Sequence, residues 1–412
     1  MTLEEAISVA LESNYNIRLV ATDVDVAENN VSIGNAGMLP TVSADVSAAA
    51  GIQNTTQTLL DGETRSVRNG KSRSSAYGVS LDWTIFDGMQ MFVRYEQLKA
   101  LQELGEANLQ EAILNTVYEV VSNYFNLVQQ MQLISATQTA LELSAFRLQT
   151  AQNQYQIGRA SKLEVLAARV DLNTDTTNLL RQRDTYKRTQ VRLNELLGRA
   201  VDTDFSVADT IIISRDVNYE DLRVSAHRQN PTLQSAIINQ KINELELKRI
   251  KGNRYPVVSV SSAYTRAKSH TELGFSTRSH NNNFNYGIAA RANIFNGFKQ
   301  RRDERNATFA IEAANILVDQ VEQNIDAQLL AAFQTYLMNL DLVRLEGNNR
   351  TIAQENMDIT LEKFKLGSIA PLEFREAQRN FVEASTRFST AQYQAKLAEI
   401  SLNQIAGALR ME

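Results

Sequence analysis

The feature that most constrains this chain is that it is written twice. Asn14 and Asn230, Ala10 and Ala226, and Pro40 and Pro256 are separated by 216 residues. Phe86 and Phe295, Gly158 and Gly367, Asn194 and Asn403, and Gly198 and Gly407 are separated by 209, without a gap over more than a hundred residues. A long repeat of this kind is one structural plan used twice, and the fold must accommodate both copies. The seven-residue difference falls between Pro40 and Phe86, where GIQNTTQTLLDGETRSVRNGKSRSS (51–75) answers the shorter AKSHTELGFSTRSHNNN (267–283). Both segments are polar and turn-rich and read as hairpin loop tips, which absorb insertions. The expected organisation is a first repeat over 1–205, a linker over 206–218 and a second repeat over 219–412, with both repeats forming one intertwined unit.

Each repeat opens with a helical run, 2–36 and 219–252. Thr2-x-x-Glu5 is a capping box at the first start and Asn218 a cap at the second. Pro40 and Pro256 end helix and begin strand. From Val42 the order is alternating, with Val42, Ala44, Val46 and Ala48 against Thr41, Ser43, Asp45 and Ser47. The returning strands place Tyr77, Val79, Leu81, Trp83 and Ile85 on one face, and Phe284, Tyr286, Ile288, Ala290, Ala292 and Ile294 on one face of the second copy. Each repeat therefore holds one hairpin, its strands about ten residues long by this alternation.

The strands end in Ile85-Phe86-Asp87-Gly88 and Ile294-Phe295-Asn296-Gly297, with Asp87 and Asn296 suited to capping the next helix. Leu109, Ile113, Val117, Val120, Tyr124, Leu127, Met131 and Ile134 then recur at spacings of three and four, and Leu329, Phe333, Tyr336, Leu340 and Val343 do so in the second copy. These are the apolar stripes of amphipathic helices. A helix over 89–157 is roughly 100 Å long, the returning helix over 162–197 roughly 54 Å and the opening one about 52 Å. End to end the two shorter helices match the long one. The second copy repeats the arrangement over 298–366, 371–406 and 219–252.

Composition removes several function classes. There are no cysteines, which excludes disulfides, thiol catalysis and thiolate metal sites, and the net charge of -5 speaks against a nucleic-acid partner. No stretch approaches the roughly 18 apolar residues of a membrane helix, which leaves a membrane barrel open. The start, MTLEEA, has neither basic nor apolar signal regions, so a secretory signal is absent or already removed. Gly70-Lys71-Ser72 lacks the earlier glycine of a phosphate loop, since Arg65 stands there. His270 and His280 share a polar loop without the spacing of a metal site, and His227 lies elsewhere. No cofactor and no enzymatic activity are expected. Four strands cannot close on themselves, so their edges need partners. Strands with one apolar, aromatic-bearing face suit an outer-membrane barrel. A hairpin packed on helices in a soluble or surface-attached scaffold is the alternative.

The duplicated order of helix, hairpin, long helix and returning helix resembles the TolC-type outer-membrane factors over essentially the whole chain. The junctions IFDG (85–88) and IFNG (294–297) carry the resemblance, together with the helix turns YQIGRASKLEVLAARVDL (155–172) and FKLGSIAPLEFREAQRN (364–380). Each turn has an aromatic residue, Gly three later, an acid six after that and then an apolar residue: Tyr155, Gly158, Glu164, Val165 and Phe364, Gly367, Glu373, Phe374. The resemblance implies a mainly α fold with a β-barrel part, in which a homotrimer forms a twelve-stranded membrane barrel and an α-helical periplasmic tunnel. It also implies a passive export conduit for small molecules or proteins, in an efflux pump or a type I secretion system. The expected place is the bacterial outer membrane and periplasm, with a periplasmic adaptor, an inner-membrane transporter and the lipid bilayer as partners.

By the same resemblance Tyr155, Gly158, Arg159, Glu164, Phe364 and Gly367 form adaptor-contacting tips, and Glu373 and Glu376 an entrance ring. Tyr77, Val79, Leu81, Trp83, Ile85, Tyr286 and Ile288 are then lipid-facing. Two of these acids also have a local reading, because Ser161-x-x-Glu164 is a capping box and Pro371 puts Glu373 in a first helical turn. The family's better-known tip carries Arg two residues after its Gly. Here that position is Ile369, while Arg159 directly follows Gly158 in the other repeat, so a gate held by the familiar arginine is not implied.

Overall fold

A computed structural model describes residues 1–208, 210–272 and 276–408. It divides into two compact units, each drawing on both repeats: Met1–Val24, Gly105–Ala236 and Leu317–Glu412 in one, Asp25–Leu104 and Ile237–Ile316 in the other. The element order is α1 (Leu3–Ser13), α2 (Tyr15–Asn30), β1 (Thr41–Thr58), β2 (Thr64–Phe86), α3 (Gln90–Gln156) and α4 (Lys162–Leu196) in the first half. The second half continues with α5 (Tyr219–Gln229), α6 (Pro231–Gly252), β3 (Val257–Thr271), β4 (Arg278–Arg291), α7 (Lys299–Lys365) and α8 (Pro371–Ile405). Both long helices have 67 residues and both returning helices 35. No helix among the described residues is long and apolar enough to cross a membrane.

The opening helix of each repeat is not one run but two, and in the first repeat α2 already stops at Asn30, with turns leading on to β1. Asn14 ends α1, its amide donating to the Ala10 carbonyl at 2.9 Å, and its side-chain oxygen then accepts from Asn16 and Ile17 at 2.9 and 3.1 Å to start α2. Its side-chain nitrogen donates to the Leu196 carbonyl at the end of α4, at 2.8 Å. Asn230 does the same at the α5–α6 break, accepting from Leu233 at 3.1 Å and donating to the Ile405 carbonyl of α8 at 2.9 Å. A break that satisfies orphan groups of three helix ends costs little. It also lets the chain approach closely: a Cβ on Gly198 would lie 2.3 Å from the Ser13 carbonyl oxygen, and one on Gly407 would lie 2.6 Å from that of Gln229. The repeated Asn and Gly positions are thus two halves of one joint.

Around these joints the helical unit buries its apolar stripes. Val117, Val120, Tyr124 and Leu127 of α3 pack with Ile7 and Ala10 of α1 and Leu193 and Leu197 at the end of α4. Leu329 and Tyr336 of α7 pack with Ala226, Leu233 and Leu402.

The other unit contains one antiparallel sheet in the order β1-β2-β3-β4. Its strands, of 18, 23, 15 and 14 residues, are longer than the apolar alternation suggests. Most of 51–75 and 267–283 is strand rather than loop, His270 and His280 included, and Gly70-Lys71-Ser72 lies within β2. Ladder hydrogen bonds continue where both faces become polar, because they belong to the backbone and need no apolar side chain. The first hairpin turns over Leu59–Glu63, with the Leu59 amide donating to the Glu63 carbonyl at 2.8 Å. The centre of the second hairpin, residues 273–275, lies outside the described residues. β4 stops at Arg291, so Ala292 and Ile294 are not strand residues. The reason is pairing: Thr84 and Phe86 of β2 still face Ser259 and Val258, but β3 begins at Val257, opposite Arg291, and offers nothing further to β4.

Candidate functional site

The two long turns, α3 to α4 and α7 to α8, are built alike. Gly158 and Gly367 take left-handed φ of 75° and 73°. Their amides donate to the carbonyls of Tyr155 and Phe364 at 3.0 Å each, and the next amides, Arg159 and Ser368, donate to Gln154 and Lys363 at 2.7 and 3.0 Å. This is the Schellman closure, which needs a residue without a Cβ penalty at the glycine position. The returning helices start differently. Ser161 and Glu164 form the expected capping box, each side chain taking the other's backbone amide. Ala370 offers no side-chain cap, and Pro371 begins α8 with Glu373 in its first turn.

Equivalent side chains have unlike surroundings. Phe364 is 6% exposed, stacked on Phe374 at 4.9 Å between centroids with planes 10° apart, whereas Tyr155 is 47% exposed. Arg159, directly after Gly158, is exposed, and its counterpart directly after Gly367 is the exposed Ser368. Ile369, one residue further on, is half-buried.

Close to these turns lies a polar cluster that no motif announces. Asp171 of α4 forms ion pairs with Arg147 of α3 and Arg375 of α8, Arg147 being almost fully buried. One helical turn away, Asp175 accepts from Ser144 and, at 3.3 Å, from Gln378, whose amide also reaches the Ala140 carbonyl at 2.7 Å and the Ser144 hydroxyl at 2.9 Å. Burial lowers the Arg147 guanidinium below its ordinary value, against the pull of Asp175. Burial, then the positive charges of Arg147 and Arg379, lower Arg375. A guanidinium so shifted still carries its charge at neutral pH. A cavity of about 250 Å³ opens next to the cluster, lined by Arg147, Glu164, Asp171, Phe364, Leu372 and Arg375. The repeat does not echo the cluster: at the offset of 209, Asn356, Asn380 and Leu166 stand in place of Arg147, Asp171 and Arg375. Its only sequence signal is the i, i+4 spacing of Asp171 and Asp175, which fixes one helix face and names no partner.

Glu373 and Glu376 are both exposed, while Phe374, Ala377 and Gln378 of the same helix are buried. Glu376 pairs with Arg379 at 2.7 Å, and Arg379 lies 3.7 Å from Glu383. In the sheet, Tyr77, Val79, Leu81 and Trp83 share a face with their partners Val46, Ala44, Val42 and Val260. Ile85 falls at the irregularity between Thr84 and Phe86, where the β2–β3 register shifts. Tyr286 and Ile288 continue the apolar face opposite Ser262 and Val260. Trp83 also donates its indole N–H to the Met38 carbonyl at 2.8 Å.

The family model described as outer membrane efflux protein matches residues 6–199 and 222–408. The chain is 19% identical to the outer membrane efflux protein BepC of Brucella suis biovar 1 (strain 1330), over 99% of this chain and 86% of that protein. It is 18% identical to the outer membrane protein TolC of Escherichia coli (strain K12), over 96% and 80%. The Campylobacter jejuni CmeC outer membrane channel has a similar fold, with a TM-score of 0.79 at 15% identity over 98% of this chain and 85% of that one.

Proposed function

The chain belongs to the outer membrane efflux protein family and is an outer-membrane efflux channel reaching into the periplasm; from that premise we propose that three copies complete it. Each copy contributes four strands to a twelve-stranded barrel and its long and returning helices to a tunnel. The observation that carries this reading is the sheet, whose four strands present one mainly apolar face, interrupted on β3 by Ser262 and Arg266, while β1 and β4 each have a single neighbour among the described residues. Closure removes those edges. The apolar face, Tyr77, Val79, Leu81, Trp83, Ile85, Tyr286 and Ile288 included, then meets lipid.

The turns at Gly158 and Gly367 dock a periplasmic adaptor, which couples the channel to an inner-membrane transporter. Tyr155, Arg159 and the exposed backbone of both turns supply the contact, while Glu164 and Phe364 hold the turns in shape. Glu373 and Glu376 form an entrance ring whose charge is partly offset by Arg379. Such a conduit is passive: it needs no chemistry of its own, and the transporter drives export through it. Mass measurement in detergent, then conductance in a planar bilayer, tests the proposal. A trimer that forms open channels is expected, and a monomer without conductance would overturn it.

A further inference from the structure

We infer that a second copy of this chain pairs its β1 with β4 in one defined register, with Asp45 of one copy opposite Arg291 of the other. The inference rests on the trimeric reading for its partner and on the internal duplication for its geometry. The two hairpins are superimposable in register: Thr41 faces Asp82 in the first, and Val257 faces Arg291 in the second. The offsets of 216 and 209 carry one pair onto the other. The same offsets can therefore be applied to the β2–β3 pairing that joins the two repeats within a chain. They convert it into the β4–β1 pairing that joins one chain to the next.

In the chain, Asp82 faces Ser261, Ser80 faces Ala263 and Gly78 faces Thr265. Carried over, Arg291 faces Asp45, Ala289 faces Ser47 and Gly287 faces Ala49. On the other face Leu81–Ser262, Val79–Tyr264 and Tyr77–Arg266 become Ala290–Val46, Ile288–Ala48 and Tyr286–Ala50. Two independent features agree with this register. Every residue brought together on the second face is apolar, and a slip by one residue would set that face against the polar one. A slip by two keeps the faces but moves Arg291 from Asp45 to Ser43 or Ser47, which loses the opposite-charge pair that directly facing positions favour. Asp45 and Arg291 are both exposed in the single chain.

The chain has no cysteines, so cross-linking needs no background removal. Directly facing Cα atoms in an antiparallel pair lie about 4.5 to 5.5 Å apart, within disulfide reach. A49C/G287C is expected to give covalently linked dimers and trimers on oxidation, several-fold more than A49C/N285C or A49C/A289C, which are two residues out of register. In a second measurement D45R or R291D alone lowers the yield of trimer in detergent, and D45R/R291D restores it. A trimer of correct mass that links better in a shifted pair, or in which the charge exchange gives no rescue, overturns the register and leaves the trimer standing. A chain that stays monomeric overturns both.

Discussion

Asp171 faces two guanidiniums, Arg147 almost fully buried and Arg375 partly so. Removing one member of a buried pair leaves the other charge without compensation, at a typical cost of about 3 to 5 kcal/mol. Asp171→Asn is isosteric and is expected to lower stability by an amount near the bottom of that range, since Arg375 can turn to water. Chemical denaturation in detergent checks this, and a change below about 1 kcal/mol would mean that the cluster is solvated. Tyr336 gives a second test. Its hydroxyl donates to the Ser214 carbonyl, and burial, with Glu399 and Asp216 adding to it, raises its pKa from 10.0 to about 12. Below pH 10 the phenol is neutral in both the folded and the unfolded chain. Between 10 and 12 the unfolded chain ionises while the folded one does not, so stability falls as pH rises through that window. Melting temperature against pH should show this fall, and Tyr336→Phe should remove its share of the slope while costing a hydrogen bond at every pH.

Helices and strands are legible in the sequence wherever an end is marked by local chemistry. The long and returning helices begin and end within a residue or two of where capping residues and Gly158, Gly198, Gly367 and Gly407 place them. The breaks at Asn14 and Asn230 are not legible, because the side chain that makes each break favourable bonds to a helix end 182 or 175 residues away. Periodicity underestimates strand length because it reports side-chain burial, and the ladder outlasts it. The cluster of Arg147, Asp171 and Arg375 escapes sequence reading because its members lie on three helices and have no counterpart in the other repeat. The strand alternation does give a face, and the face can be tested. Leu81→Arg, beside Val42 and Ser262, is expected to cost roughly 2 to 4 kcal/mol near a bilayer midplane. Ser80→Arg, on the opposite face, should be tolerated. Trimer yield from membranes and heat resistance in detergent would show the difference, and equal behaviour of the two variants would mean that the Leu81 face is not in lipid.

In the assembled channel, the decisive quantity is how charge sums over the copies. Glu373 and Glu376 lie three apart on one helical face, so three copies would bring six carboxylates towards one opening. Each Glu376 is held by an Arg379, which reduces the field without removing it, because Arg379 also serves Glu383. In a narrow, poorly solvated opening the remaining negative charge concentrates cations and slows multivalent ones. Replacing both residues by Gln keeps volume and removes their charge, leaving Arg379 with Glu383. Reconstituted channels of Glu373→Gln/Glu376→Gln should therefore lose cation preference, read as a reversal potential moving towards zero or beyond it in a salt gradient. The difference from the parent channel should fade at high salt, since the screening length falls to about 3 Å at 1 M. An unchanged reversal potential at low salt would show that the two glutamates do not face the opening, and would leave Glu373 as a first-turn charge stabilising its helix.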